Sequence, residues 1–341
     1  MAVRQAGSAN GLLPVLRELL SRGVSLSLLA GDAGGDPLIS AGFPVASYRD
    51  FDDVRATLDA FKPTFLLTGT SLLGDDDARF WQWAADRGVP SAAFVDSWTH
   101  LATRFRSGGR AFAVLPDAIG VPDQRCADAL RDEGAPTERL RVLGQPAFDE
   151  SIAIASSPER IERARHLREK LLEQSGADVL VAFISEPTFS DPALWPGYSA
   201  REALGYLMRA LRDAGRDRAT LIAIRLHPRE RDDPSTSIML GAPPDGRCEV
   251  VVGDRHDLML AADHVVGMTS FLLREAAIMG RHVVSIQPNV RVFDDVLSGV
   301  AGVSRCSDIP SVQQALTTPA PTAPLMSTES SAAKWVELIL G

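Results

Sequence analysis

Two apolar runs in the second half of the chain end in polar residues that could bind a phosphate group. The segment "TLIAIRLHP" ends at His227 and Pro228, and the segment "DVLVAFISEP" carries Ser185 and Glu186 before its final proline. Each run has the length of a buried strand, and proline stops a strand because it has no N–H to donate. We expect these side chains at a sheet edge, in contact with a phosphate or a base. A strand-end histidine with a local hydrogen bond and a simple polar turn are the alternatives.

The segment "ADHVVGMTSFLLREAAIMGRHVVSI" predicts a strand, a hydroxyl pair and then a helix. Thr269 and Ser270 stand at the predicted helix start, and Glu275 lies in the first turns. Backbone N–H groups and the helix dipole favour an anion at such a position. We expect Thr269 and Ser270 to hold a phosphate, and Glu275 could accept hydrogen bonds from a ribose. The alternative is that a hydroxyl only caps the helix and Glu275 is a solvated first-turn acid.

The first half of the chain also places polar residues after apolar runs. Thr70 and Ser71 follow the strand in "TFLLTGTS", and Asp96 follows the strand in "SAAFVDSWTHLATRF". His100 and Arg104 come at intervals of four after Asp96, so a helix here would place all three on one face. Asp96 or His100 could then deprotonate an acceptor hydroxyl, and Arg104 could hold an anionic group. A capping aspartate beside a salt-bridged helix face is the alternative.

The elements that carry these residues alternate between short apolar runs and helical patterns, which is typical of parallel βαβ units. The alternation restarts near the middle of the chain and predicts an α/β fold with two tandem Rossmann-like parallel-sheet domains. Ligands of such sheets bind beyond the carboxyl ends of the strands, so we expect the ligand in a cleft between the domains. The expected boundaries are a domain at 1–147, a hinge at 148–157, a domain at 158–316, and a proline-rich linker with a terminal helix at 317–341.

The composition excludes several classes of protein. A chain of 341 residues with a net charge of −9 and no basic cluster does not indicate a nucleic-acid partner. Cys126, Cys248 and Cys306 lie far apart without a CxxC spacing, so they predict neither a disulfide framework nor a zinc site. No apolar run reaches the length of about 18 residues that a membrane helix needs, and no signal-peptide pattern is present. We expect a cytoplasmic protein without an integral membrane segment.

Taken together, the segments "RLHP" and "GMTSFLLREAAIMG" resemble the donor-binding half of GT-B glycosyltransferases. The resemblance is to the bacterial subset with a His-Pro motif and a Ser/Thr pair, which includes capsule sialyl- and polysialyltransferases, Kdo transferases and CDP-glycerol-type phosphotransferases. "LRVLGQPAFDE" is similar to the Gly-x-Pro turn that ends the first domain in these enzymes. The resemblance implies that His227, Thr269 and Ser270 contact the nucleotide phosphate and that Glu275 contacts the ribose.

The resemblance implies an enzyme that moves a sugar from a nucleotide-activated donor, of CMP or CDP type, to a hydroxyl acceptor in bacterial surface polysaccharide or glycoconjugate synthesis. Residues 1–147 would then bind the saccharide acceptor, through Thr70, Ser71 and Arg104, and residues 158–316 would bind the nucleotide sugar. "DDD" at Asp75–Asp77 matches the metal-binding DxD pattern of the other large glycosyltransferase class. It begins a predicted helix, where the dipole alone favours acids, so we expect no metal and no cofactor.

Two other functions stay open. UDP-N-acetylglucosamine 2-epimerases are built in the same way and share the glutamate-bearing helix. Their His-x-Asn-Pro and Gly-Gly-x-Gln-Glu-Glu patterns are replaced here by "LHPRE" and "MTSFLLREA". The third possibility is a non-catalytic nucleotide-sugar-binding or scaffolding protein of this fold, because "MAVRQAGSANG" leaves little room for a first strand.

Overall fold

The computed structural model describes residues 1–72, 75–186, 197–227, 230, 248–291, 297–317 and 329–341. The chain divides into two compact units. Unit 1 consists of Met1–Glu150 with Ser327–Gly341, and unit 2 consists of Ser151–Met326. No helix in the described ranges is long and apolar enough to cross a membrane.

The strands of unit 1 are β1 (Ala2–Val3), β2 (Leu29–Ala30), β3 (Ala46–Ser47), β4 (Leu66–Thr68), β5 (Ser91–Phe94), β6 (Arg106–Ser107), β7 (Arg110–Ala111), β8 (Ala118–Val121) and β9 (Leu140–Val142). Those of unit 2 are β10 (Val179–Ile184), β11 (Thr220–Arg225), β12 (Cys248–Val250), β13 (His264–Gly267), β14 (Val283–Ile286) and β15 (Val303–Cys306). The seven-stranded sheet of unit 1 has the order β3-β2-β1-β4-β5-β8-β9, and the six-stranded sheet of unit 2 has the order β12-β11-β10-β13-β14-β15. All pairs in both sheets are parallel, whereas β6 and β7 form a separate antiparallel hairpin.

The helices are α1 (Ala6–Ser21), α2 (Gly35–Ser40), α3 (Phe51–Phe61), α4 (Asp76–Arg87), α5 (Gln124–Asp132), α6 (Pro146–Ala155), α7 (Pro158–Ser175), α8 (Ala200–Asp213), α9 (Arg255–Ala261), α10 (Phe271–Ile278), α11 (Ile309–Ala315) and α12 (Ser331–Leu340). Polar caps fix several of their starts. Asp50 accepts hydrogen bonds at the start of α3, and Ser199 with Glu202 forms a capping box at the start of α8.

Each sheet is covered by apolar side chains on both faces, as parallel sheets require. In β10, Leu180, Ala182 and Ile184 belong to one apolar cluster, and Val181 and Phe183 belong to another. This alternation follows from the two-residue period of a strand. The predicted fold class, two Rossmann-like parallel-sheet domains in tandem, is confirmed.

Both sheets reverse their strand order beside the first strand of the unit. The chain leaves β10 for β11 on one side and later returns to β13 on the other side, and β1 lies between β2 and β4 in the same way. The loops at such a point run in opposite directions and leave a crevice beyond the carboxyl ends of the strands. In unit 2 these loops carry Ser185 and Glu186 after β10 and Met268–Ser270 after β13.

The segment predicted as a hinge, 148–157, is helical as far as Ala155. Ala147, Ser151 and Ala155 are buried and lie four residues apart, so they form one face of α6. The boundary between the two units, at Glu150 and Ser151, falls within this helix and within the predicted hinge.

The terminal helix α12 is part of unit 1. Trp335 is fully buried and meets Phe94 of β5 edge-on, with ring centroids 5.5 Å apart. Asp149 accepts hydrogen bonds from the backbone N–H groups of Ser331 and Ala332, at 3.1 and 2.8 Å. The end of the chain therefore completes the core of the domain that its beginning forms.

Candidate functional site

Glu186 binds the start of α10. Its Oε1 accepts hydrogen bonds from the backbone N–H groups of Met268, Thr269 and Ser270 at 3.1, 2.8 and 2.9 Å, and its Oε2 accepts from the Thr269 hydroxyl at 2.8 Å. Burial raises the pKa of the Glu186 carboxyl, while these hydrogen bonds act in the opposite direction. The loop after β13 is therefore arranged to hold an oxygen anion, and here the anion is the chain's own carboxylate.

The hydroxyl of Ser270 has a different partner. It accepts a hydrogen bond from the backbone N–H of Leu272 at 3.3 Å and so caps α10. The capping role that the sequence left as an alternative thus applies to this side chain, while its backbone N–H contributes to the anion site.

A second buried carboxylate joins the ends of β10 and β11. Glu230 accepts hydrogen bonds from the Ser185 hydroxyl and from the backbone N–H of His227, each at 2.8 Å. Glu230 is buried, and the sequence analysis did not identify it, although an acid three residues after His227 was visible in "LHPRE". The predicted Pro228 lies outside the described residues.

The structure thus brings five of the predicted residues of unit 2 to one edge of the sheet. Ser185 connects through Glu230 to His227, and the adjacent Glu186 connects to Thr269 and Ser270. Their contacts with a phosphate or a base stay predictions.

Glu275 is buried rather than solvated. Its side chain is 2% exposed, and its Oε2 lies 3.5 Å from Nε of Arg255 and 3.7 Å from Nε2 of His256 at the start of α9. Within the described part of the chain, none of these three atoms has a hydrogen-bond partner. No local sequence pattern predicts that Arg255 and His256 lie beside Glu275, because they belong to a different helix.

In unit 1, Asp96 and Arg104 form a buried ion pair at the end of β5. Oδ1 of Asp96 is 2.8 Å from Arg104, whose guanidinium also donates to the Thr70 hydroxyl at 3.1 Å. Oδ2 of Asp96 accepts a hydrogen bond from the Ser8 hydroxyl at 3.1 Å. Asp96, Thr70 and Arg104 therefore meet at this strand end, and Ser8 is an additional member of the group.

His100 does not belong to this group. It is exposed, and its φ of 55° lies in the left-handed region, so the segment after Asp96 cannot be one continuous helix. Helical geometry, of the 3₁₀ type, is limited to Ala102–Phe105. The prediction that Asp96, His100 and Arg104 share one helix face is wrong, because the chain turns at His100.

The acidic triplet at the start of α4 contacts neighbouring loops. Asp76 forms an ion pair with Arg4, and Asp77 accepts hydrogen bonds from the N–H and the hydroxyl of Ser71 at 2.8 and 2.6 Å. Burial raises the pKa of the Asp77 carboxyl. Among the described residues, no group of three or more histidine, cysteine or acidic side chains is placed to hold a metal ion.

Two Rossmann-like parallel-sheet units in tandem define a GT-B-like fold, and solved structures show the same fold. The UDP-GlcNAc 2-epimerase from Methanocaldococcus jannaschii matches with a TM-score of 0.69 and 13% identity, over 100% of this chain and 99% of that chain. The enzyme from Neisseria meningitidis bound to UDP-GlcNAc has a TM-score of 0.68 and 12% identity, over 99% and 98%. Anabaena Alr3699/HepE in complex with UDP has a TM-score of 0.56 and 14% identity, over 99% and 93%.

No protein-family model and no curated protein sequence matches the chain. The structural matches correct the expected function. Those described above are UDP-GlcNAc 2-epimerases and a UDP complex, and none of these supports the subset of transferases with CMP- or CDP-linked donors. The expectation of a glycosyltransferase is therefore wrong, and the open alternative of an epimerase-like enzyme is the better supported one.

Proposed function

We propose that this chain binds a UDP-sugar at the carboxyl edge of the unit 2 sheet and acts as an enzyme of the UDP-GlcNAc 2-epimerase type. The observation that carries the proposal is the set of donors at the start of α10. Three backbone N–H groups and the Thr269 hydroxyl converge on one pair of carboxylate oxygens. A phosphate offers the same oxygen atoms with more negative charge, so it can replace Glu186 there.

The remaining residues of this edge suit the rest of the nucleotide. Oε2 of Glu275 accepts no hydrogen bond from the described residues, so a ribose hydroxyl can donate to it. Ser185 and His227, which both donate a hydrogen bond to Glu230 at this edge, are the residues to which we assign contacts with the phosphate or the base. The structural neighbours, which were solved with UDP-GlcNAc or UDP, support a uridine nucleotide.

Inversion at carbon 2 requires that a proton leave one face of the carbon while its electron pair expels UDP from carbon 1, and that UDP and a proton then add back, the proton on the other face. A carboxylate is a suitable base for the first step. In unit 1 we assign this role to Asp96, whose carboxylate is oriented by Arg104 on one oxygen and by Ser8 on the other. His100 is the weaker candidate because no contact in the described structure orients its ring.

The experiment is incubation of the protein with UDP-GlcNAc alone in D₂O, followed by proton NMR. The proposal predicts a second UDP-sugar with deuterium at carbon 2, without any acceptor. Asp96→Asn should lower turnover by about 10²–10⁴-fold and leave the Kd for UDP unchanged. Asp59→Asn is the matched control, because Asp59 lies in the same unit and contacts Trp83 and Arg87. Full turnover by Asp96→Asn would assign the base to another residue, and the absence of any deuterium would reject the epimerase.

A non-catalytic UDP-sugar-binding protein is the second candidate. It is favoured by the occupation of the anion site by Glu186 and by the departure of "LHPRE" and "MTSFLLREA" from the epimerase patterns. The same incubation separates the two functions. Binding of UDP-GlcNAc without deuterium exchange would support the binding protein.

A further inference from the structure

A cavity of about 510 Å³ lies in unit 2 at the amino ends of β11 and β12. Thr220 and Cys248, the first residues of the two strands, line it, together with Ile222, which pairs with Cys248. The proposed nucleotide site lies at the carboxyl ends of the strands, and the six residues of β11 separate the two edges by roughly 20 Å. Pockets for small molecules have volumes of about 300–1,000 Å³, so this cavity has the size of a second ligand site.

The inner wall of this cavity is apolar. Met208 and Leu211 lie three residues apart on α8 and therefore face the same side of the helix. They belong to the same apolar cluster as Ile222 of β11, and all three side chains line the cavity. Leu211 and Ile222 are 4% and 3% exposed, whereas Met208 is only partly buried. This wall can cover the apolar part of a ligand, which stabilises the complex in proportion to the area removed from water.

The charged residues of the cavity stand at its mouth. Arg212 and Arg218 line the cavity and are exposed, and Asp217 is partly buried beside them. Within the described part of the chain, the side chains of Arg212 and Arg218 form no ion pair or hydrogen bond, whereas Arg209 of the same helix pairs with Asp213. A guanidinium group presents its N–H donors in a planar fork that matches a carboxylate or a similar oxyanion. Two such groups against one carboxylate favour an anion at the mouth.

We propose that this cavity binds a small organic anion that consists of an oxyanion head and an apolar body. The head lies at Arg212 and Arg218, and the body lies against Met208, Leu211 and Ile222. An inorganic anion would leave the apolar wall uncovered, and a neutral apolar molecule would leave both guanidinium groups without an acceptor. Carboxylates and phosphate monoesters share this chemistry. The site does not depend on the proposed binding of a UDP-sugar, because it lies at the opposite edge of the sheet.

The experiment uses Cys248 as a reporter, because it lines the cavity and is partly exposed, whereas Cys126 and Cys306 are buried. Mass spectrometry measures the rate at which iodoacetamide alkylates Cys248 in the full chain as phenylbutanoate or phenylpropyl phosphate is added. Each should slow alkylation, and the tighter of the two identifies the head group. Arg212→Gln and Arg218→Gln should each raise the Kd by up to about 5-fold, the contribution of an exposed ion pair, and phenylbutanol should bind about 10-fold more weakly than phenylbutanoate. Arg209→Gln is the matched control.

Four results would overturn the inference. They are no protection of Cys248 by either organic anion, equal protection by phenylbutanol, equal protection by inorganic phosphate, and a Kd that neither arginine substitution changes. UDP should leave the alkylation rate unchanged, because the proposed function places it at the carboxyl ends of the strands. Protection by UDP that is lost in Arg218→Gln would place the nucleotide in this cavity and reject both proposals. Failure of the chain to bind UDP at all would reject the proposed function alone.

Discussion

Replacement of His264 by asparagine should remove much of the acid sensitivity of unit 2. His264 and His282 stand at the amino ends of β13 and β14, where their Nδ1 atoms are 3.0 Å apart. Both rings are buried, and Nε2 of His282 also lies 3.2 Å from the Ser304 hydroxyl. The contact between the Nδ1 atoms exists only while one of them is unprotonated, because two protonated nitrogens cannot form a hydrogen bond.

The size of the stability loss at low pH follows from the pKa of His264. Burial, followed by the proximity of His282, lowers this pKa from the ordinary value of 6.5 to about 4, and burial also lowers the pKa of His282. Asp263 raises the pKa of His264, whereas Arg216 and Arg281 lower it further. Between pH 6.5 and about 4 the unfolded chain binds a proton that the folded chain does not. The contribution of neutral His264 to the free energy of unfolding is therefore complete above pH 6.5, and it is lost as the pH falls toward about 4. Because one pKa unit corresponds to about 1.4 kcal/mol, His264 accounts for a loss of roughly 3 kcal/mol.

The assay is hydrogen–deuterium exchange of peptides from β13 and β14 at pH 7, 5.5 and 4.5, corrected for the intrinsic effect of pH. Tryptophan fluorescence would follow mainly unit 1, which holds four of the five tryptophans of the chain: Trp81, Trp83, Trp98 and Trp335. His264→Asn should lower stability at pH 7 and flatten its decrease toward pH 4.5, whereas the exposed His166→Gln should not alter the pH dependence. An unchanged decrease in His264→Asn would refute the assignment of the acid sensitivity to this pair.

Two further substitutions test other parts of the structure. Glu186→Ala should free the donors at the start of α10, so UDP should bind more tightly, by several-fold, while unfolding becomes easier by about 1 kcal/mol, as for loss of a helix cap. The control is Glu202→Ala, which removes the capping glutamate of α8 and should lower the unfolding midpoint without changing the Kd for UDP. Weaker UDP binding by Glu186→Ala would contradict the idea that a phosphate displaces the Glu186 carboxylate. Gly120→Ala would place a methyl group against the buried ring of Trp335 and should destabilise unit 1 by about 1–3 kcal/mol in urea unfolding followed by fluorescence. An unchanged midpoint would show that the ring of Trp335 can move.

The fold was predictable because strand and helix periods alternate along the whole chain. Ser185, Glu186 and Thr269 could be placed at one sheet edge because each follows an apolar strand, and parallel strands end at the same edge. Their partners could not be predicted. Glu230 and Ser185 are 45 residues apart in sequence and meet because β10 pairs with β11. No local sequence pattern predicts such a long-range contact.

Errors arose where a local pattern had two possible structures. The four-residue spacing of Asp96, His100 and Arg104 fits a helix, but the left-handed backbone of His100 ends any helix there. The predicted hinge at 148–157 stays a prediction: the boundary between the two units falls within it, at Glu150 and Ser151, and most of the segment is helical in α6. The function was misjudged because His-Pro and Thr-Ser are short motifs, and short motifs do not distinguish enzymes that share a fold.

A crystal structure of the chain with UDP-GlcNAc would show whether a UDP-sugar binds at the start of α10. We expect phosphate oxygens about 3 Å from the backbone nitrogens of Thr269 and Ser270, with the carboxylate of Glu186 displaced. A nucleotide bound elsewhere, with Glu186 still hydrogen-bonded to Thr269 and Ser270 as it is here, would contradict it.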